Sequence, residues 1–212
     1  MNITRNTITK TPTKSILPHS WKTDFIFQEA LTTRRMIIPK GSYESILTQL
    51  WCYYHHLELP SSDECKQLDF HKGILLSGKI GCGKTMLMNA LRSYLSTTCS
   101  EEASRSISVK ELEREFRRDG YGAIEIAFDK KHLMIDDLGL ENKDVNHYGN
   151  NINLLDEVLQ ARYELFQRYN IKTHCTTNLS SNNIIKMYAP RTVSRLREMF
   201  NIVILPGEDM RK

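Results

Sequence analysis

The chain has 212 residues, enough for one domain or one domain with a small appendage, and 40% of them are hydrophobic, enough to bury a core. No apolar run is long enough to span a membrane, and the N-terminus shows neither an apolar signal core nor a small-residue cleavage site. The net charge of +4 is compatible with a nucleic-acid partner, while five scattered cysteines without a CxxC pair (Cys52, Cys65, Cys82, Cys99, Cys175) argue against a disulfide framework or zinc site and for a reducing, cytoplasmic setting.

In chain order, residues 1–24 read as a flexible basic tail. Arg5, Lys10, Lys14 and Lys22 stand among Thr and Ser, with Pro12 and Pro18 and no acidic residue before Asp24. A solvated terminus and an arm for nucleic acid or a protein both fit. Residues 25–65 read as a helical lead-in and a candidate partner-binding segment. Ile46, Leu50, Tyr53 and Leu57 recur at helical spacing until the break at Pro60–Asp63.

Residues 66–212 alternate short apolar runs with helical patterns. Strands are expected at 73–77, 106–109, 132–136, 171–176 and 200–205, and helices at 85–95, 110–118 and 154–169. This alternation predicts an α/β fold, a parallel sheet covered by helices on both faces.

Gly78-Lys79-Ile80-Gly81-Cys82-Gly83-Lys84-Thr85 matches the phosphate-loop pattern G-x-x-x-x-G-K-[ST] in full, and Met86 continues it into the expected helix. Glycines let backbone N–H groups turn inward around phosphates, and the following helix N-terminus adds positive potential. Lys84 can reach the β- and γ-phosphates of ATP, and Thr85 can place its hydroxyl on Mg²⁺. Cys82 fits as a small space-filler.

The apolar run Leu133-Met134-Ile135 ends in Asp136-Asp137. The C-terminal ends of parallel strands face the ligand crevice. Asp136 there is expected in the Mg²⁺ shell, with Asp137 orienting or deprotonating the attacking water.

Together the phosphate loop, Leu133–Gly139 (LMIDDLG) and Thr176-Thr177-Asn178 resemble the AAA+ ATPases. More narrowly, Ala161–Glu164 (ARYE), Thr177–Ser180, Arg191–Leu196 (RTVSRL) and Gly207–Arg211 (GEDMR) resemble the DnaC/IstB-type group of helicase loaders and transposition helpers. The resemblance implies a P-loop AAA+ sheet without a full C-terminal helical lid. It also implies that Asn178 touches the water or γ-phosphate, and that Arg191 and Arg195 reach a neighbouring subunit's ATP. Arg211 is implied to lie near the nucleotide. Implied partners are DNA, a replicative helicase or transposase, and further copies of the chain in an ATP-bound homo-oligomer, with no membrane. Asp137 stands where Glu is common in the family and is one methylene shorter, which is compatible with slow, switch-like hydrolysis.

Related ATPases grip single-stranded DNA through the segment before the acidic strand. Here it offers Arg114, Arg117, Arg118, Lys130 and Lys131 with Phe116 and Tyr121 interleaved. Glu111, Glu113 and Glu115 alternate with these arginines, which also fits a solvated, salt-bridged helix. The leading expectation is an ATP-hydrolysing helicase loader. Alternatives are a transposition-helper ATPase, a P-loop small-molecule or nucleoside kinase, or a nucleotide-binding adaptor with little hydrolysis.

Overall fold

The computed structural model describes residues 20–36, 38, 41–60, 65–99, 104–141, 145–147 and 150–210. Most of the basic tail lies outside them, but residues 20–24 belong to the folded part. Trp21 is buried, and the buried Asp24 accepts a hydrogen bond from the Phe27 N–H, capping the first helix. The indole of Trp21 gives this stretch more apolar surface than its basic surroundings suggest.

The lead-in forms two helices rather than one, α1 (Phe25–Thr33) and α2 (Ser42–Tyr54). Between them the chain turns, with left-handed backbone at Arg35 (φ 52°) and Gly41 (φ 86°). Ile46, Leu50 and Tyr53 are buried as their spacing requires, whereas Leu57 lies beyond the end of α2.

Next come β1 (Gly73–Ser77), α3 (Lys84–Thr98), β2 (Ser104–Ser108) and α4 (Val109–Asp119). Val109, expected to close a strand, instead opens α4. Ser108 caps that helix through the Glu111 N–H while the Glu111 carboxylate reaches back to the Ser108 N–H, a reciprocal pair that fixes the boundary. A 3₁₀ turn (Gly120–Ile124) and the short α5 (Glu125–Phe128) lead into β3 (His132–Leu138). The antiparallel hairpin of β4 (Val145–His147) and β5 (Asn150–Ile152) was not expected from the sequence. It precedes α6 (Leu154–Tyr169), β6 (Thr173–Thr177), α7 (Ser181–Met187), α8 (Pro190–Met199) and β7 (Phe200–Ile204).

Five strands form one parallel sheet in the order β2-β3-β6-β1-β7. Alternate residues along each strand face opposite sides. Ile74 and Leu76 of β1, Met134 of β3 and Val203 of β7 therefore join a core with α1, α2 and α3. Leu75, Leu133, Ile135 and Cys175 join a second core with α4 to α8. Both faces are covered, as a parallel sheet requires, and α1 and α2 share their core with β1 and α3.

Candidate nucleotide site

The loop from Gly78 to Gly83 joins the C-terminal end of β1 to α3. Gly81 (φ 80°) and Gly83 (φ 90°) adopt left-handed backbone that side chains disfavour. Gly83 is also the N-cap of α3, which has no side-chain cap and no acidic residue in its first turn. The N–H groups of that turn and the helix dipole therefore favour an anion. Lys84 is buried, and its ammonium donates to the carbonyls of Gly78 (2.9 Å) and Lys79 (2.8 Å). Cys82 is fully buried, with its sulfur 3.9 Å from the Lys84 Nζ. Thr85 donates through Oγ1 to the Asp136 Oδ1 at 2.9 Å, joining the loop to β3 across the sheet end.

At Asp136-Asp137 the register between β3 and β6 shifts: Ile135 pairs with Cys175, but Leu138 pairs with Thr177. Two residues of β3 thus lie opposite Thr176 alone, a β-bulge. Asp137 takes left-handed backbone at φ 64°. Its N–H is caught by the Thr176 Oγ1 at 2.9 Å, and the same hydroxyl donates to the Asp136 Oδ1 at 2.5 Å. Adjacent residues of a regular strand point to opposite faces. Here Asp136 meets Thr85 while Asp137 lines a cavity beside the phosphate loop.

That cavity has a volume of about 340 Å³. The loop and α3 contribute Ile80, Gly81, Gly83, Lys84, Thr85 and Met86, and the strand ends contribute Asp137 and Asn178. Asn178 follows β6 directly. Its neighbour Thr177 donates to the Leu138 carbonyl (2.6 Å) and accepts from the Leu179 N–H (3.0 Å), and the Ser77 hydroxyl donates to the Leu179 carbonyl (3.0 Å). These bonds tie the segment carrying Asn178 to both β1 and β3.

Arg35, Met36, Leu140 and Met210 complete the wall, and sequence reasoning had not assigned any of them to the site. The first two lie in the turn between α1 and α2. Met210 donates its N–H to the Gly81 carbonyl at 3.1 Å, which brings the C-terminal segment onto the loop. A Cβ on Gly81 would fall 1.9 Å from the Asp209 Oδ1. No sequence motif marks Arg35 or Met36; the lead-in's helical spacing was the one available signal.

Arg191 and Arg195 both lie on α8 and outside this cavity wall. Arg191 is exposed. Arg195 donates to the Gln160 Oε1 and stacks over the Tyr163 ring, its guanidinium carbon 5.0 Å from the centroid. Arg211 lies outside the described residues. On α4, Arg114, Arg117 and Arg118 are exposed, as are Tyr121, Lys130 and Lys131 nearby, whereas Phe116 is buried in the core. The glutamates separate: Glu111 caps the helix and the buried Glu113 pairs with Lys110, while Arg118 pairs with Asp119.

Two buried polar networks support the site from behind. Arg162 of the ARYE stretch is fully buried and donates to the carbonyls of Ala127, Asp129, Lys131 and Lys172 and to the Thr173 hydroxyl. Burial, against weaker pulls from Cys175 and Asp129, lowers its pKa to about 10. It fastens α6 to the segment entering β3. On the other face Asp24 accepts from the Trp51 indole (3.0 Å) and the Tyr94 hydroxyl (2.7 Å), and His55 lies 2.7 Å from the same hydroxyl. Burial would raise the Asp24 pKa, but these bonds and His55 hold it below the usual carboxylate value. The network joins α1 and α2 to α3, the helix that carries the phosphate loop.

A family model described as an AAA domain matches residues 58–207. Among solved structures, DnaI is similar at 23% identity and a TM-score of 0.60, over 88% of this chain and 92% of that one. The DnaC helicase loader is similar at 19% identity and a TM-score of 0.59, over 79% and 93%. The replication initiator DnaA bound to AMPPCP and single-stranded DNA is similar at 13% identity and a TM-score of 0.51, over 82% and 49%. No protein of curated function matches the sequence.

Proposed function

The chain belongs to the AAA domain family, and from that premise we propose that it is an ATPase of the helicase-loader type, binding Mg²⁺·ATP in the cavity beside the phosphate loop. The observation that carries the reading is the convergence of Lys84, Thr85, Asp137 and Asn178 on one cavity, with Asp136 bonded to Thr85.

The residues fit the group. Mg²⁺ bound with a nucleotide takes few protein ligands and shares its shell with phosphates and water. Thr85 and Asp136 offer one hydroxyl and one carboxylate within 2.9 Å of each other. The uncapped N-terminus of α3 suits phosphate oxygens. When bound, the metal would neutralise charge on the transferring phosphoryl group. Lys84 exchanges its loop carbonyls for phosphate oxygens. Asp137 accepts a proton from the attacking water, and Asn178 holds that water through its amide. The apolar side chains of Met36, Ile80, Leu140 and Met210 line the rest of the cavity and offer an apolar surface to the nucleotide's base.

Of the two arginines, Arg191, exposed on α8, can reach a neighbouring copy without first breaking a contact that holds α8 to α6. Arg195 would have to leave Gln160 and Tyr163. The basic and aromatic surface of Arg114, Arg117, Arg118, Tyr121, Lys130 and Lys131 suits single-stranded nucleic acid, whose phosphates meet the cations and whose bases stack on exposed rings. The fold shared with a DnaC helicase loader supports a replicative helicase as the protein partner.

ATP hydrolysis measured against protein concentration, with and without single-stranded DNA, tests this reading. A rate that climbs more steeply than linearly and rises with DNA supports a shared site in an assembly acting on DNA. A linear rate indifferent to DNA favours a monomeric kinase or a nucleotide-binding adaptor.

A further inference from the structure

The geometry points to Thr176 as a positioning residue that holds both carboxylates of the acidic pair in working orientation through one hydroxyl. This inference rests on the Mg²⁺·ATP reading of the cavity and adds to it a residue that touches neither nucleotide nor metal.

Three observations combine. First, the bulge places Asp136 and Asp137 opposite Thr176 alone. Second, the Thr176 Oγ1 accepts that N–H at 2.9 Å. Third, its proton goes to the Asp136 Oδ1 at 2.5 Å, the oxygen that also accepts from Thr85. A hydroxyl can donate and accept at once, and here each role serves one aspartate. Thr176 is fully buried, so water does not substitute for it.

The need for such a clamp follows from backbone conformation. Asp137 sits at φ 64°, a region that non-glycine residues occupy at a cost and keep where surrounding contacts impose it. Without the Thr176 hydroxyl, the bulge would lose the bond that ties the Asp137 N–H to β6, and with it one of the contacts that hold the left-handed backbone at Asp137. A regular strand would turn Asp136 and Asp137 to opposite faces, so that Asp136 could not stay on Thr85 while Asp137 lines the cavity. The same change would leave Thr85 as the hydrogen-bond donor to Asp136 among the described residues. Thr176 therefore couples the metal-side carboxylate to the water-side carboxylate.

A residue that orients a metal-binding carboxylate typically affects metal affinity by 10- to 100-fold when removed. The test compares ATP affinity with Mg²⁺ and with EDTA, by equilibrium titration, for the wild type, Thr176→Val and Thr176→Ser, each checked for a cooperative thermal melt. We expect Mg²⁺ to tighten ATP binding in the wild type and in Thr176→Ser, which keeps the hydroxyl. In Thr176→Val that tightening should shrink by about tenfold or more, with the affinity in EDTA changed less than about threefold and kcat lowered more than KM is raised. Thr176→Ala takes the place of Thr176→Val if the valine variant lacks a cooperative melt. An unchanged Mg²⁺ effect in the hydroxyl-free variant overturns the inference. So does an equal loss of binding in EDTA, which would mark Thr176 as a packing residue. Failure of the wild type to bind ATP would instead overturn the nucleotide reading itself, and the inference with it.

Discussion

The two walls of the cavity solve the same geometric problem in different ways. The phosphate loop needs left-handed backbone at Gly81 and Gly83 and uses glycine, which adopts it without a Cβ clash. The acidic bulge has left-handed backbone at Asp137, where the carboxylate is the proposed proton acceptor and glycine could not supply it. There the conformation is held by a neighbouring strand, through Thr176. The difference teaches where conformation is local and where it is imposed: the loop's shape is written in its own residues, while the bulge's shape depends on a partner forty positions along the chain.

The largest effect expected from breaking this comparison is on the loop side. Lys84→Ala removes charge-assisted hydrogen bonds to phosphate, worth about 1.5–3 kcal/mol each, so ATP affinity should fall by about 100-fold or more in a calorimetric titration. Its melting temperature, measured alongside, should change little, because Gly78 is half-buried and Lys79 exposed, so their carbonyls can turn to water.

On the bulge side, Asp137→Gly removes the side chain that the left-handed conformation disfavours. The strain relieved is of order 1 kcal/mol. The melting temperature of Asp137→Gly should therefore hold or rise by a few degrees while phosphate release stops. A clear fall in stability would show that Asp137 is not strained.

The effect that is smallest at neutral pH and grows on acidification is at His174 on β6. Its Nδ1 accepts the Ile74 N–H at 3.2 Å, while its Nε2 has no hydrogen-bond partner among the described residues. Burial, reinforced by His132, Lys172 and Arg162, pushes its pKa down to about 3 from 6.5. The folded protein keeps this ring neutral while the unfolded chain protonates it below about pH 6.5. Its contribution is thus fully present above that pH and is lost on acidification toward pH 3, by up to about 1.4 kcal/mol per pH unit. His174→Asn can still accept the Ile74 N–H and does not titrate. Denaturant melts from pH 7.5 to 5 should show a shallower decline for this variant than for the wild type, and parallel curves would contradict the assignment.

How much was legible in the sequence follows the same division. The phosphate loop, the acidic strand end and the parallel sheet were readable because each is set by residues close together in the chain. The 3.6-residue spacing also located α6 at Leu154–Tyr169. Pro39 and Gly41 did mark a break in the lead-in, whereas the positive φ at Arg35 was not readable, since arginine has no turn preference. Nor could spacing reveal that Met36 and Met210, from the two ends of the described chain, would meet at one cavity wall. The Arg162 network was similarly hidden: a lone Arg on a helix reads as solvated until the carbonyls of 127–131 are seen to converge on it. Arg195 looked equivalent to Arg191 four residues apart, and only packing against Tyr163 and Gln160 separates them.

The central claim, that the cavity between loop and bulge hydrolyses ATP with Asp137 as the proton acceptor, is tested most directly by phosphate release from the wild type and Asp137→Asn at saturating Mg²⁺·ATP, with ATP affinity measured on the same samples. The account predicts that Asp137→Asn binds ATP within a few-fold of the wild type and loses about 10²–10⁴ in turnover. Equal phosphate release from the two proteins would contradict it.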